Sequence, residues 1–243
     1  MKPTIREGWV DNQGVRLHYI HSNPDSPQKM LPLVYVHGAY GTAEGFLPEM
    51  EALSPRRCIA ITLRGRGKSG APEVGYTFEH HISDIQALAN HLRLFRFCLM
   101  GWSVGVAYSI GYTCRNPEHV AGLILLDYPA RYPSFSPQWA ERGLSNPSFD
   151  WKAHAVHAIQ RESTEIPLWK DLPKVKCPVL VIGGGQPDAL LRPEHIDCYK
   201  QHLPSVEIIV FKDSGHNVSR PDYDMFIGTL KEFLERIDRI ENT

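Results

Sequence analysis

Ser103 stands between two glycines in Gly101-Trp102-Ser103-Val104-Gly105, directly after the apolar run Phe97 to Met100 and at the opening of a stretch with helical period. A strand-to-helix turn this tight puts the serine in a strained backbone conformation and pushes its hydroxyl into open space. A serine hydroxyl is a poor nucleophile unless a base lies within hydrogen-bond reach and a third group orients that base. His216, in Asp213-Ser214-Gly215-His216-Asn217, follows the apolar run Ile208 to Phe211 and is the expected base. Asp188 follows the run Pro178 to Ile182 through Gly183-Gly184-Gly185-Gln186-Pro187, a flexible turn able to present a carboxylate, and is the expected acid. Its rival is Asp127, at the end of the run Leu123 to Leu126. The residue types thus point to nucleophilic catalysis at a carbonyl.

Such chemistry needs donors for a tetrahedral oxyanion. The N–H of Val104, at the start of the helix after the serine, and the N–H of Ala39, in His37-Gly38-Ala39-Tyr40-Gly41, are the expected pair. His37 is expected to support that loop without titrating. Tyr40, Trp102 and Trp139 are expected to line the substrate pocket. His80-His81-x-x-Asp84 and His154-x-x-His157 place potential ligands on one helix face, yet neither supplies a full metal set, and both read as solvated helix faces. No metal and no organic cofactor are expected.

These groups must be held by strands and helices. Short β-branched runs bounded by turn residues predict buried strands at Leu33 to Val36, Cys58 to Leu63, Phe97 to Met100, Leu123 to Leu126, Val179 to Ile182 and Ile208 to Phe211. Helical period predicts helices at Phe78 to Leu94, Val104 to Cys114, Pro193 to His202 and Asp222 to Ile240. Strand and helix alternate, which implies right-handed crossovers and a mostly parallel sheet of about eight strands covered on both faces. Gly8 to His21, turning at Asp11-Asn12-Gln13-Gly14, predicts a hairpin forming an antiparallel edge. Residues 128–173 break the alternation: they are rich in proline and carry Phe135, Trp139, Phe149, Trp151 and Trp169 without a clear strand. They are expected to fold as short helices in a cap over a core formed by 1–127 and 174–243.

With 42% hydrophobic and 22% charged residues in 243, the composition suits one sizeable globular domain. A net charge of -1 offers no long-range attraction to nucleic acid or anionic membranes, so a small-molecule substrate is the expected partner. No run approaches the ~18 apolar residues that span a bilayer, and the first residues lack an apolar leader, which together predict a cytoplasmic protein. Cys58, Cys98, Cys114, Cys177 and Cys198 are scattered and odd in number, as for reduced thiols.

Taken together, the chain resembles the α/β-hydrolase superfamily over nearly its whole length. The resemblance rests on His37-Gly38, Gly101 to Gly105, Gly185 to Asp188 and Gly215-His216, with serine, acid and histidine in the superfamily's chain order. Leu63-Arg64-Gly65-Arg66-Gly67-Lys68-Ser69 is similar to the superfamily's Asp-x-Arg-Gly-His-Gly-x-Ser turn, with Thr62 where Asp is common and Arg66 where His is common. The resemblance implies an α/β fold and a serine hydrolase cleaving a small carboxylic ester or lactone. It disfavours relatives with an elbow aspartate. A cofactor-free C–C bond hydrolase or lyase would keep the same triad, and a receptor-like binding module would turn over slowly.

Overall fold

The computed structural model describes residues 3–25, 29–147, 149 and 151–243; Ser148 and Asp150, within the segment read as a cap, lie outside the described residues. In chain order the elements are β1 (Ile5–Asn12), β2 (Val15–Ser22), β3 (Leu33–Val36), α1 (Leu47–Ala52), β4 (Cys58–Ile61), α2 (Phe78–His91), β5 (Phe97–Trp102), α3 (Gly105–Arg115), β6 (Val120–Leu126) and β7 (Arg131–Tyr132). There follow α4 (Pro137–Ser145), α5 (Ala153–Glu162), β8 (Ile166–Pro167), β9 (Val179–Gly184), α6 (Pro193–His202), β10 (Val206–Phe211) and α7 (Tyr223–Glu241). Eight strands form one sheet in the order β1-β2-β4-β3-β5-β6-β9-β10, and β7 and β8 pair in a separate ribbon. From β4 to β10 all neighbours run parallel, whereas β1 and β2 form the antiparallel edge.

Every residue of β3, β4 and β6 is buried, which is why these strands read as continuous apolar runs without alternation. One face of the sheet packs against α2 and α3 through residues such as Ile82, Ile85, Ala107 and Ile110. The other packs against α1 and α7 through Met50, Phe226, Leu230 and Phe233. The expected hairpin is present, and its two-residue turn places Gln13 at φ 55° and Gly14 at φ 83°, the pair of left-handed residues that matches the twist of the flanking strands. The six residues of α1 are too few to carry a readable helical period, and the sequence did not mark them.

The segment 128–173 holds β7, α4, α5 and β8, and Trp169 in it packs on Tyr199 of α6, with ring centroids 5.0 Å apart. All five cysteines are free. No helix among the described residues is long and apolar enough to cross a membrane.

The turn from Leu63 to Ser69 is held by bonds suited to its own residues. Thr62 Oγ1 accepts from the Ala43 N–H at 3.0 Å, and Ser69 Oγ donates to Thr62 O at 2.6 Å. Arg64 grips Asp84 of α2 with two bonds, Nε to Oδ2 at 2.8 Å and Nη2 to Oδ1 at 2.6 Å, and Asn12 Nδ2 adds a third donor at 2.7 Å. Asp84 and His81 are fully buried, which corrects their reading as a solvated face. Their partners explain the reversal, because His81 Nε2 accepts from the buried Arg66 Nη1 at 2.8 Å while its Nδ1 donates to Thr77 O at 2.9 Å. His154, by contrast, is exposed and contacts Ala71 O at 2.9 Å.

Removing one partner of a buried ion pair leaves an uncompensated charge, at a cost of about 3–5 kcal/mol. Asp84→Ala is therefore expected to lower the melting temperature by about 10 °C; a shift of a degree or two would show the pair to be dispensable.

A second expectation concerns acid. Burial, reinforced by the charge of Arg57, lowers His21 to a pKa of about 4. Burial together with Arg66 lowers His37 to about 3 and holds His81 well below its ordinary value. The folded state keeps these rings neutral while the unfolded chain protonates them near 6.5, so the unfolded state binds more protons and stability rises with pH in that interval. The stabilisation is complete above pH ~6.5 and declines as pH falls toward ~4, by about 1.4 kcal/mol per pH unit for each such ring. Urea midpoints measured at pH 7 and pH 5 should show the lower value at pH 5, and equal midpoints would contradict the buried neutral state.

Candidate active site

Ser103 sits at the carboxyl end of β5 with φ 56°, the left-handed conformation expected of a strained strand-to-helix turn. Its N–H donates to Leu126 O at 3.0 Å, and its carbonyl accepts from Val106 at 2.8 Å to begin α3. The flanking glycines are required by close approach: a Cβ on Gly101 would strike the carbonyl of Gly105, and one on Gly105 would strike the carbonyl of Val36. Both contacts fix how near β5, α3 and β3 can lie, and hence where the serine emerges.

Ser103 and His216 line one cleft of about 950 Å³ at the carboxyl edge of the sheet. His216 Nδ1 lies 2.7 Å from Asp127 Oδ2. The carboxylate that the structure brings to the imidazole is thus Asp127, and the expectation for Asp188 is corrected. Asp188 is exposed, and among the described residues its Oδ2 accepts the backbone N–H of His216 at 3.3 Å and no imidazole N–H. Asp127 is fully buried at the end of β6, itself in a left-handed conformation with φ 46°. The glycine-rich turn after β9, from which the sequence reading drew Asp188, turns its backbone toward Asp127: Gly184 N donates to Oδ1 at 3.1 Å, Leu191 N to Oδ1 at 3.2 Å, and Leu190 N to Oδ2 at 2.8 Å. That turn therefore braces Asp127. The available signal was position, since Asp127 directly ends the strand that pairs with β5, the strand of the serine.

Trp102 stacks on the His216 ring, with centroids 5.3 Å apart, and its Nε1 donates to His216 O at 3.1 Å, which ties the histidine loop to the serine turn. A carboxylate on Nδ1 makes that nitrogen the donor and leaves Nε2 with its lone pair.

Ala39 and Val104 line the same cleft, and their backbone N–H groups find no acceptor among the described residues. The loop bearing Ala39 is fixed from below by His37. The Leu63 N–H donates to His37 Nε2 at 3.0 Å, which obliges Nδ1 to carry the proton that it gives to Gly38 O at 2.6 Å. Gly38 C=O and Ala39 N–H belong to one peptide unit, so a bond to the carbonyl orients and polarises the N–H. Arg66, fully buried, extends this floor: Nη1 donates to Arg64 O at 2.8 Å, Nε to Ala39 O at 3.4 Å, and the guanidinium lies 5.3 Å from the Trp151 ring centroid.

Tyr40, Trp102 and Trp139 stand on the cleft wall, joined by Tyr128, Phe135 and Phe149. Tyr40 stacks between Trp139 at 5.4 Å and Phe149 at 4.8 Å and donates its hydroxyl proton to Trp139 O at 3.0 Å. Sequence reading did not single out Arg142, on the same wall, because a lone arginine on a helix has no distinguishing pattern. Among the described residues no group of three or more His, Cys, Asp or Glu is placed to hold a metal ion.

Known proteins share this architecture. The serine hydrolase BPHL of Homo sapiens is 23% identical, over 96% of this chain and 87% of its own. The esterase EaEST from Exiguobacterium antarcticum superposes with a TM-score of 0.80 at 21% identity, covering 93% of this chain and 98% of that one. The enol-lactonase from Burkholderia xenovorans LB400 gives 0.77 at 21% identity, over 94% of this chain and all of its own (100%). Likenesses at such identity carry the fold alone. The sequence model described as the alpha/beta hydrolase family matches residues 33–224, from β3 to the start of α7, and by that match the chain belongs to the alpha/beta hydrolase family.

Proposed function

We propose that Ser103, His216 and Asp127 act as nucleophile, base and orienting acid of a serine hydrolase that cleaves a small carboxylic ester or lactone. The observation that carries this reading is the 2.7 Å contact between His216 Nδ1 and the buried Asp127, beneath the cleft that also holds Ser103. It fixes the tautomer in which Nε2 can accept a proton. Ser103 Oγ attacks the carbonyl carbon and passes its proton to Nε2, and the new oxyanion takes the free N–H groups of Ala39 and Val104. The helix dipole of α3 favours that negative charge at its N-terminus. His216 then protonates the departing alkoxide, leaving an acyl group on Ser103, and water repeats the sequence with His216 as base. The names of the serine hydrolase, esterase and enol-lactonase relatives agree with carbonyl chemistry of this kind. No step draws on a cofactor.

Two measurements test the assignment. Ser103→Ala should lose about 10⁶ in kcat on an activated ester such as a p-nitrophenyl acetate, since removing a triad nucleophile has cost that much elsewhere, and a fluorophosphonate should label Ser103 alone in the parent protein. An adduct mapped to Ser69 or Ser109 would contradict it. Side by side on one ester, Asp127→Asn should lose about 10⁴ in kcat, because the amide can hold the wrong tautomer, while Asp188→Asn should stay within about tenfold as a loop residue with one long bond. The reverse ranking would return the acid role to Asp188.

A further inference from the structure

The cleft wall carries an uneven charge pattern. Arg142 is the only Lys or Arg side chain among its described lining residues, and none of those residues is an Asp or Glu. Arg142 lies on α4 at i+3 from Trp139, so both side chains belong to one helix face, and the neighbouring Gly143 approaches the Tyr40 ring so closely that a Cβ there would sit 3.0 Å from it. The face of α4 bearing Trp139 and Arg142 is therefore the one that meets the cleft. Burial pushes the Tyr40 phenol up, and the Arg142 charge acts in the opposite sense, which sets the guanidinium within electrostatic reach of the aromatic wall.

Some arginines elsewhere on the surface are paired with carboxylates, while others, such as Arg93 and Arg239, form no ion pair among the described residues and lie outside this cleft. Arg96 pairs with Glu241, Arg115 with Glu79 and Arg236 with Glu207. Arg142 has no carboxylate partner among the described residues and remains exposed at a cleft whose other principal surfaces are aromatic rings. A planar guanidinium with free N–H donors matches a carboxylate in two-point geometry, and stacked rings match a flat apolar body.

Resting on the reading of Ser103 as nucleophile, we infer that the cleft takes an ester with an aryl or similarly flat apolar body that also bears a free carboxylate, and that Arg142 recognises this carboxylate. The hydrolysed bond lies at Ser103, and the carboxylate held by Arg142 is a second acid group that takes no part in the reaction. Arg142 sets specificity and acts on binding.

The test uses 4-acetoxybenzoate and its methyl ester, which differ only in that second carboxylate. Binding is measured first with Ser103→Ala, so that recognition is read without turnover. The acid should bind about tenfold more tightly than the methyl ester, as for one charge-assisted pair at a partly exposed site. In Ser103→Ala/Arg142→Gln the ratio should fall to near one, and Ser103→Ala/Arg142→Lys should restore part of it. Raising the salt concentration should shrink the ratio, since exposed charges are screened. In the otherwise unaltered protein, Arg142→Gln should raise KM for the acid relative to the methyl ester with little change in their kcat ratio. Equal affinity for the two compounds, or a ratio that survives Arg142→Gln, overturns the assignment of Arg142. Absence of turnover for both esters overturns the hydrolase reading instead, and the binding ratio still decides on the carboxylate.

Discussion

A carboxylate with no exposure to water is costly to bury unless every lone pair finds a donor. Asp127 meets that condition with four, the N–H groups of Gly184, Leu190 and Leu191 and the Nδ1 of His216. They come from the end of β9, from the turn that follows it and from the loop after β10. One side chain at the end of β6 thereby fixes the carboxyl ends of three adjacent strands to one another. The same bond that orients the imidazole also closes this edge of the sheet, so the geometry of His216 is inherited from the packing of the strands. Asp127 is thus held by four donors, whereas Asp188, exposed on the same turn, accepts the His216 backbone N–H at 3.3 Å.

The loop bearing Ala39 rests on a second buried network of a different kind. His37, Arg66 and His81 are all buried, and each ring is kept neutral while the guanidinium supplies the charge. Neutrality is what makes the network work. A neutral His37 can accept from Leu63 and donate to Gly38 O, and a neutral His81 can accept from Arg66; a proton on either ring would turn an acceptor into a donor facing another donor. Arg66 in place of the histidine common in this turn is thus accommodated by His81 on α2, whose Nε2 accepts from Arg66 Nη1.

Most of the fold was legible because its central strands are buried on both faces and helices such as α2 and α7 on one. Leu33–Val36 and Pro193–His202 were readable to the residue, since each is bounded by proline or by a change of period. Ser103 and His216 were legible because tight turns leave glycines beside them. Asp127 was visible only as a rival. Sequence spacing shows that a carboxylate ends a strand, but which of two such carboxylates meets the imidazole depends on strand order, and β6 lies between β5 and β9. The buried state of His81 and Asp84 was hidden for a related reason, as their partners Arg66 and Arg64 lie a loop away and only the fold brings cation and acceptor together.

Tyr40 joins the two halves of the site. It follows Ala39 in the loop after β3, yet its ring is stacked between Trp139 and Phe149 and its hydroxyl is bonded to the Trp139 carbonyl. The aromatic wall of the cleft and the loop bearing Ala39 are therefore joined through Tyr40. A displacement of α4 large enough to open the cleft must either break the Tyr40 bond and stacking or carry the loop with it. Aromatic stacking and one neutral hydrogen bond are each worth about 1 kcal/mol, so the first route is accessible at ordinary temperature, whereas moving the loop would disturb the shorter His37 bond to Gly38 beneath it. The weaker joint here is thus the contact of Tyr40 with the aromatic wall, and the stronger one is the His37 bond beneath the loop.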